Sequence, residues 1–158
     1  MRVIQAESAG FCYGVERAVK IAEETAREKG GCVMLGSIIH NAHVVQELER
    51  SGVRCVNRVE EVQPGDTVII RSHGEPVETY RTLEARGARV LDATCPHVLR
   101  IHRLVERAEQ EGRTPLIIGE DHHPEVIAAA SRSSRSVRNV RNRLSIKRYW
   151  LIQWSRSA

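Results

Sequence analysis

Five short apolar runs constrain the fold most: Val3-Ile4, Val33-Met34-Leu35, Val68-Ile69-Ile70, Val90-Leu91 and Leu116-Ile117-Ile118. Each is too continuous for a strand with one wet face, so each asks to be buried on both sides. The cover lies between them. Four amphipathic segments, 14–29, 41–51, 76–86 and 96–111, each stop at a glycine suited to a left-handed C-terminal cap (Gly30, Gly52, Gly87 and Gly112). Pro76 and Pro96 stand where a first helical residue belongs, and Asn41 suits an N-cap. Strand and helix in alternation predict βαβ units: an α/β fold with a mainly parallel sheet and helices on both faces. A further short strand at 53–56, followed by the turn residues Pro64-Gly65-Asp66, reads as an edge or connecting element.

A chain of 158 residues, 41% of them hydrophobic, has room for one ordinary domain, or for one domain and part of another. It has no run of eighteen apolar residues and no apolar stretch behind a basic start. Neither a membrane span nor a signal peptide is expected, and a cytoplasmic location follows. The formal charge of +4 hides an uneven split: residues 1–130 hold 16 Lys and Arg against all 20 Asp and Glu, whereas 131–158 hold 8 basic residues and no acid. The body is therefore acidic and the basic pI belongs to the last segment, which shows neither glycine stops nor a clear period. A disordered basic tail, an RNA-binding arm using arginines with Trp150 and Trp154, and an out-of-frame or truncated reading of a longer gene are the alternatives, with the last favoured. Loss of pattern after Ala130 would also leave one apolar face of the 96–111 helix, Val98, Ile101, Leu104, Val105 and Ala108, without its neighbours.

Open parallel sheets bind ligands outside the carboxyl ends of their strands, where the following helices direct their N-terminal amides. The residues next after the runs are Cys12, His40, His73, Cys95, and His123 with Glu125. Five loops thus deliver Cys, His or Glu to one rim. The glycines in Gly10-Phe11-Cys12-Tyr13-Gly14 and Ser72-His73-Gly74 suit a backbone that must approach something closely. Cys95 directly precedes Pro96 at a helix start, where the dipole favours the thiolate that ligates metals or clusters, and Cys12 is similarly placed. Cys32 and Cys55 lie at the entry of a strand or inside one and read as structural thiols. His40, His73 and His123 beside helix N-termini form an anion pocket without a glycine-rich phosphate loop. The other histidines, His43, His97, His102 and His122, make no zinc spacing and suit solvent-facing helix positions.

The motifs GFCYGVERA, HNAHVV, RSHG, DATCP and HHPEV, in this order over residues 1–130, resemble the 4-hydroxy-3-methylbut-2-enyl diphosphate reductase family. The resemblance implies an oxidoreductase of the non-mevalonate isoprenoid pathway. Such an enzyme removes the hydroxyl of a small allylic diphosphate with two electrons and two protons, making isopentenyl and dimethylallyl diphosphates. The implied cofactor is a [4Fe–4S] cluster held by three cysteines, one iron being left open for the substrate hydroxyl. Cys12 and Cys95 match two of those ligands; the third, expected beyond residue 130, has no counterpart in this chain. His40, His73 and His123 match the diphosphate-binding histidines and Glu125 the proton-delivering carboxylate. The implied partner is an electron donor such as ferredoxin or flavodoxin; neither a membrane nor nucleic acid is implied.

In fold, the resemblance implies the first domain of a three-domain architecture plus part of the second. The division expected is 1–95, carrying cluster and substrate loops, 96–130, starting the second domain, and 131–158, the basic tail. A truncated, inactive reductase is the expectation, with a non-catalytic diphosphate-binding α/β fragment as the alternative.

Overall fold

The structure is a computed structural model, described here for residues 3–4, 7, 9–36, 42–134, 138–140 and 150–152. In chain order the elements are α1 (Tyr13–Lys29), β1 (Cys32–Leu35), α2 (Ala42–Arg50), β2 (Val53–Val56), a 3-10 turn (Val59–Glu61), β3 (Thr67–Ile70), α3 (Val77–Ala85) and β4 (Arg89–Asp92). There follow α4 (Pro96–Gln110), β5 (Leu116–Ile118), α5 (Pro124–Ala130), β6 (Arg138–Val140) and β7 (Trp150–Ile152). The first four helices end at the glycines that marked their stops, all four of which take positive φ.

Strands β1 to β4 form one fully parallel sheet in the order β2-β1-β3-β4. The continuous runs behave as their lack of alternation demands. On one face Cys32 and Met34 of β1 join Val53, Ile69 and the α1 alanines Ala18, Ala22 and Ala26, with Leu48 of α2. On the other face Val33 and Leu35 join Val56, Val68, Ile70 and Leu83 of α3. Small residues along α1 let that helix lie close to the sheet, and Met34, Ile69 and Ile70 are fully buried. Each such side chain contributes roughly 1.5–3 kcal/mol of transfer free energy. The 53–56 strand is the edge element expected.

Three expectations differ from what is found. Val3 and Ile4 form neither strand nor helix and are 79% and 78% exposed. Two residues make too short a ladder to hold an edge on their own, and none of the described strands lies beside them. The 96–111 helix is not left bare. Val98, Val105 and Ala108 are buried, and Val105 packs with Ile117 of β5 and Val126 and Ala129 of α5; Leu104 stays 39% exposed. Finally, residues 131–158, expected as a tail without elements, contribute β6, parallel to β5, and β7, antiparallel to it. A three-residue apolar strand has two open edges, and strands of three residues are too short to reveal a period in sequence. Among the described residues, no helix is long and apolar enough to cross a membrane.

Candidate functional site

The order β2-β1-β3-β4 puts a topological switch point between β1 and β3, because the chain leaves β1 towards one edge and β3 towards the other. The rim at their carboxyl ends is where the chemistry gathers. After β1 comes Gly36; His40 and Asn41 lie outside the described residues. After β3 the chain turns through Arg71-Ser72-His73-Gly74, closed by the Gly74 N–H donating to the Arg71 carbonyl at 3.0 Å. After β4 the Asp92 carboxylate accepts from the backbone N–H of Thr94 at 2.9 Å and from its hydroxyl, a local side-chain turn that redirects the chain into α4.

These two loops are joined as if the sheet continued. Ala93 N–H donates to the Ile70 carbonyl (3.1 Å) and Cys95 N–H to the Ser72 carbonyl (2.9 Å). Cys95 is the N-cap of α4, with Pro96 in its first turn, and Cys12 is the N-cap of α1. The two helix starts touch: a Cβ placed on Gly14 would stand 2.7 Å from Cys95 Sγ, so only a glycine lets the α1 backbone meet that thiol. Two thiols therefore share the positive ends of two adjoining helices. Arg17 ties the same junction, its Nη1 donating to the Thr94 carbonyl at 3.3 Å.

The second sheet brings the remaining groups. His123 is the N-cap of α5, and its Nδ1 accepts the Glu125 N–H at 3.3 Å, which leaves the proton on Nε2 in the neutral ring. The His73 and His123 rings meet edge to face, centroids 5.9 Å apart and planes at 85°. Burial pushes the Glu125 carboxyl up from the ordinary glutamate value, with His123 opposing. Of the residues marked in sequence, the structure thus sets Cys95 against Gly14, two residues after Cys12, and brings His73 to His123, with Glu125 beside it.

Cys32 and Cys55 belong elsewhere. Both pack in the core under α1; burial pushes the Cys32 thiol up to about 11, with Cys55 adding to the shift, and burial also raises Cys55, with Glu49 adding. Among the described residues no three His, Cys, Asp or Glu side chains converge to hold a metal ion. The donor set at the rim, two cysteine thiols at helix N-termini, would fit two ligand positions of an iron–sulfur cluster.

Several residues at the rim had no distinguishing sequence signal. Arg71 pairs with Glu75 at 3.0 Å across the His73 turn, and its guanidinium rests on Gly36, where a Cβ would meet Nη1 at 2.9 Å. Burial raises the Glu75 carboxyl despite that arginine. His102, expected on a solvent-facing helix position, is 2% exposed, and burial followed by the charge of Arg132 pushes it down to about 4. A cavity of about 270 Å³ beside it is lined by Tyr80, Asp92, Arg103, Glu106 and Arg132. The Asp92-Ala93-Thr94 turn does carry a local sequence signal, an aspartate two residues before a threonine.

The chain is 50% identical over 126 residues to the 4-hydroxy-3-methylbut-2-enyl diphosphate reductase of Aquifex aeolicus, covering 79% of this chain and 43% of that protein. It is 44% identical over 131 residues to the reductase of Caldanaerobacter subterraneus, covering 80% and 46%. The chain spans less than half the length of these relatives. In structure it is similar to an (E)-4-hydroxy-3-methyl-but-2-enyl diphosphate reductase described as the terminal enzyme of the non-mevalonate pathway, with TM-score 0.73 and 47% identity, covering 82% of this chain and 46% of that one. It is also similar to the E-1-hydroxy-2-methyl-but-2-enyl-4-diphosphate reductase of Plasmodium falciparum, with TM-score 0.81 and 28% identity, covering 86% and 43%. The LytB protein family model matches residues 3–151, and the chain belongs to that family.

Proposed function

We propose that this chain carries the diphosphate-binding side of a 4-hydroxy-3-methylbut-2-enyl diphosphate reductase together with two of its three cluster thiolates. The observation that carries the reading is the meeting of His73 and His123, with Glu125 beside them, on the rim where Cys12 and Cys95 cap α1 and α4. The imidazole N–H groups of His73 and His123 donate to diphosphate oxygens, aided by the N-terminal amides of nearby helices, with His40 as a third donor. Glu125, whose carboxyl burial pushes up from the ordinary glutamate value, supplies a proton as the hydroxyl leaves as water. The full conversion takes up two electrons and two protons for each hydroxyl removed, giving isopentenyl or dimethylallyl diphosphate.

A [4Fe–4S] cluster, when bound, supplies those electrons after reduction by a donor such as ferredoxin or flavodoxin. Cys12 and Cys95 would hold it as two of its thiolate ligands. Neither Cys32 nor Cys55 serves as the third, since both face the core under α1. The site lies in residues 1–95, with residues 96–130 starting a second α/β unit that contributes His123 and Glu125; the separate sheets formed by β1 to β4 and by β5 to β7 support that division.

Two ligating thiols in place of three favour one further reading, a diphosphate-binding fragment without a redox centre. Calorimetric titration with pyrophosphate tests what both readings share: binding is expected and is abolished in His73→Ala, and equal affinity in that variant overturns the anion pocket. Anaerobic reconstitution with iron and sulfide separates the two. The isolated chain is expected to retain little stable cluster and to show no turnover, and measured turnover would overturn the claim that these residues are insufficient.

A further inference from the structure

Residues 131–134 come back from the end of α5 across the helices of the first sheet. The Ser131 hydroxyl donates to the Ala128 carbonyl (2.7 Å) and accepts the Val77 N–H (3.1 Å) at the start of α3. Ser133 and Ser134 donate to the Glu109 carboxylate on α4. Arg132 reaches furthest inward, with its side chain only 10% exposed. Its Nη2 donates to the Glu75 carbonyl at 3.3 Å and stands 3.3 Å from His102 Nδ1. Its guanidinium lies 5.4 Å from the centre of the Tyr80 ring, and its Nε forms an ion pair with Glu106 at 3.7 Å, too long for a hydrogen bond.

Two of these partners converge on one place in the backbone. Gly74 has φ +75°, and a Cβ on it would stand 2.8 Å from His102 Cε1, so the His102 ring is packed against that glycine. Glu75 follows Gly74, and Gly74 follows His73. Arg132 therefore bears on both residues after His73, directly through the Glu75 carbonyl and indirectly through His102. A guanidinium always carries its charge, so His102 must offer it a lone pair rather than a second positive charge, and the neutral ring does so at Nδ1. The β3 loop needs such a support, since it must present His73 to a ring from a different sheet while turning through a left-handed glycine.

We propose that Arg132 is a positioning residue, which braces Gly74 and Glu75 so that the His73 imidazole is held edge-on to His123 before any anion arrives. The proposal rests on the reading of His73 and His123 as diphosphate donors. Its expected size is that of ordering a side chain or two in advance of binding, roughly tenfold in affinity.

The test uses the whole chain and two readouts. In the ligand-free protein, the ring carbon and proton NMR signals of His73 and His123 report their mutual ring-current shifts. Calorimetry with pyrophosphate reports affinity. Arg132→Ala is expected to move both ring signals and to weaken pyrophosphate about tenfold. Ser133→Ala, which loosens the same segment on its Glu109 side only, is expected to leave the rings unmoved and affinity within about twofold. Arg132→Lys keeps the charge but not the fork, and is expected to follow the alanine variant; it carries the test if circular dichroism shows that Arg132→Ala does not fold. Unmoved rings in the folded Arg132 variant, or the same changes in Ser133→Ala, overturn the brace. If His73→Ala abolishes binding while Arg132→Ala changes neither readout, the brace fails and the anion pocket stands. If the Arg132 variant moves the rings but the unaltered chain binds no pyrophosphate, the brace stands and the anion pocket fails.

Discussion

The thiol of Cys95 rests on Gly14, close enough that a methyl group there would stand 2.7 Å from the sulfur. This contact makes the N-terminal turn of α1 and the cap of α4 a single packed junction. Gly14→Ala is expected to destabilise the fold by about 1–3 kcal/mol through overpacking. Cys95→Ala introduced in the same chain should return most of that loss. Chemical denaturation of both single variants and the double variant measures the coupling, and additive effects would remove the contact as the cause.

His102 imposes an acid limit on stability. Its folded-state value of about 4 lies below the 6.5 of an exposed histidine, so the unfolded chain binds the proton more readily. The stabilisation is fully present above pH 6.5 and is lost as the pH falls towards 4, by on the order of 3 kcal/mol. His102→Gln should flatten the difference between urea midpoints at pH 7 and pH 4.5, and an unchanged pH dependence would place the titrating group elsewhere.

Cysteine labelling should follow burial. Cys12 is exposed, whereas Cys32 is 6% exposed and its thiol is pushed up to about 11. Iodoacetamide at pH 8, followed by peptide mass spectrometry, is expected to modify Cys12 first and Cys32 only under unfolding conditions. Early modification of Cys32 in the folded chain would contradict its place beneath α1.

The two isoleucines Ile4 and Ile69 look alike in composition and differ in environment. Ile69 is fully buried between helices and strands, and Ile69→Ala should cost about 2–5 kcal/mol. Ile4 is 78% exposed, and Ile4→Ala should fall within about 0.5 kcal/mol of the parent. Thermal and urea unfolding decide the matter; a large loss at Ile4 would show that it packs against something.

How far these features could be read from sequence depends on whether their cause is local. The glycine that stops α1, the proline that opens α4 and the uninterrupted run through Ile69 are local causes, and the helices and four-strand sheet follow from them. The cap positions of Cys12, Cys95 and His123 come from the same local rules. Pairing is a different matter. Val3-Ile4 resembles Val68-Ile70 in composition but pairs with none of the described strands, while Arg138–Val140 and Trp150–Ile152 became strands because β5 left two edges open. Arg132 and His102 were illegible for the same reason: one sits in a basic segment without a period and the other on an ordinary amphipathic helix. Their meeting depends on where α5 ends.

The Cys95 N–H bond to the Ser72 carbonyl extends the β3–β4 ladder one step beyond the strands themselves. The spacing between the β4 thiol and the β3 imidazole is thus graduated in units of strand repeat, much as the marks on a ruler belong to the ruler. A slip of β4 by one residue would move the sulfur by about 3.3 Å and turn its neighbours to the opposite face. No rearrangement of the loops alone could undo that, so the alignment of the Cys95 thiol with the His73 imidazole is decided when the sheet first pairs.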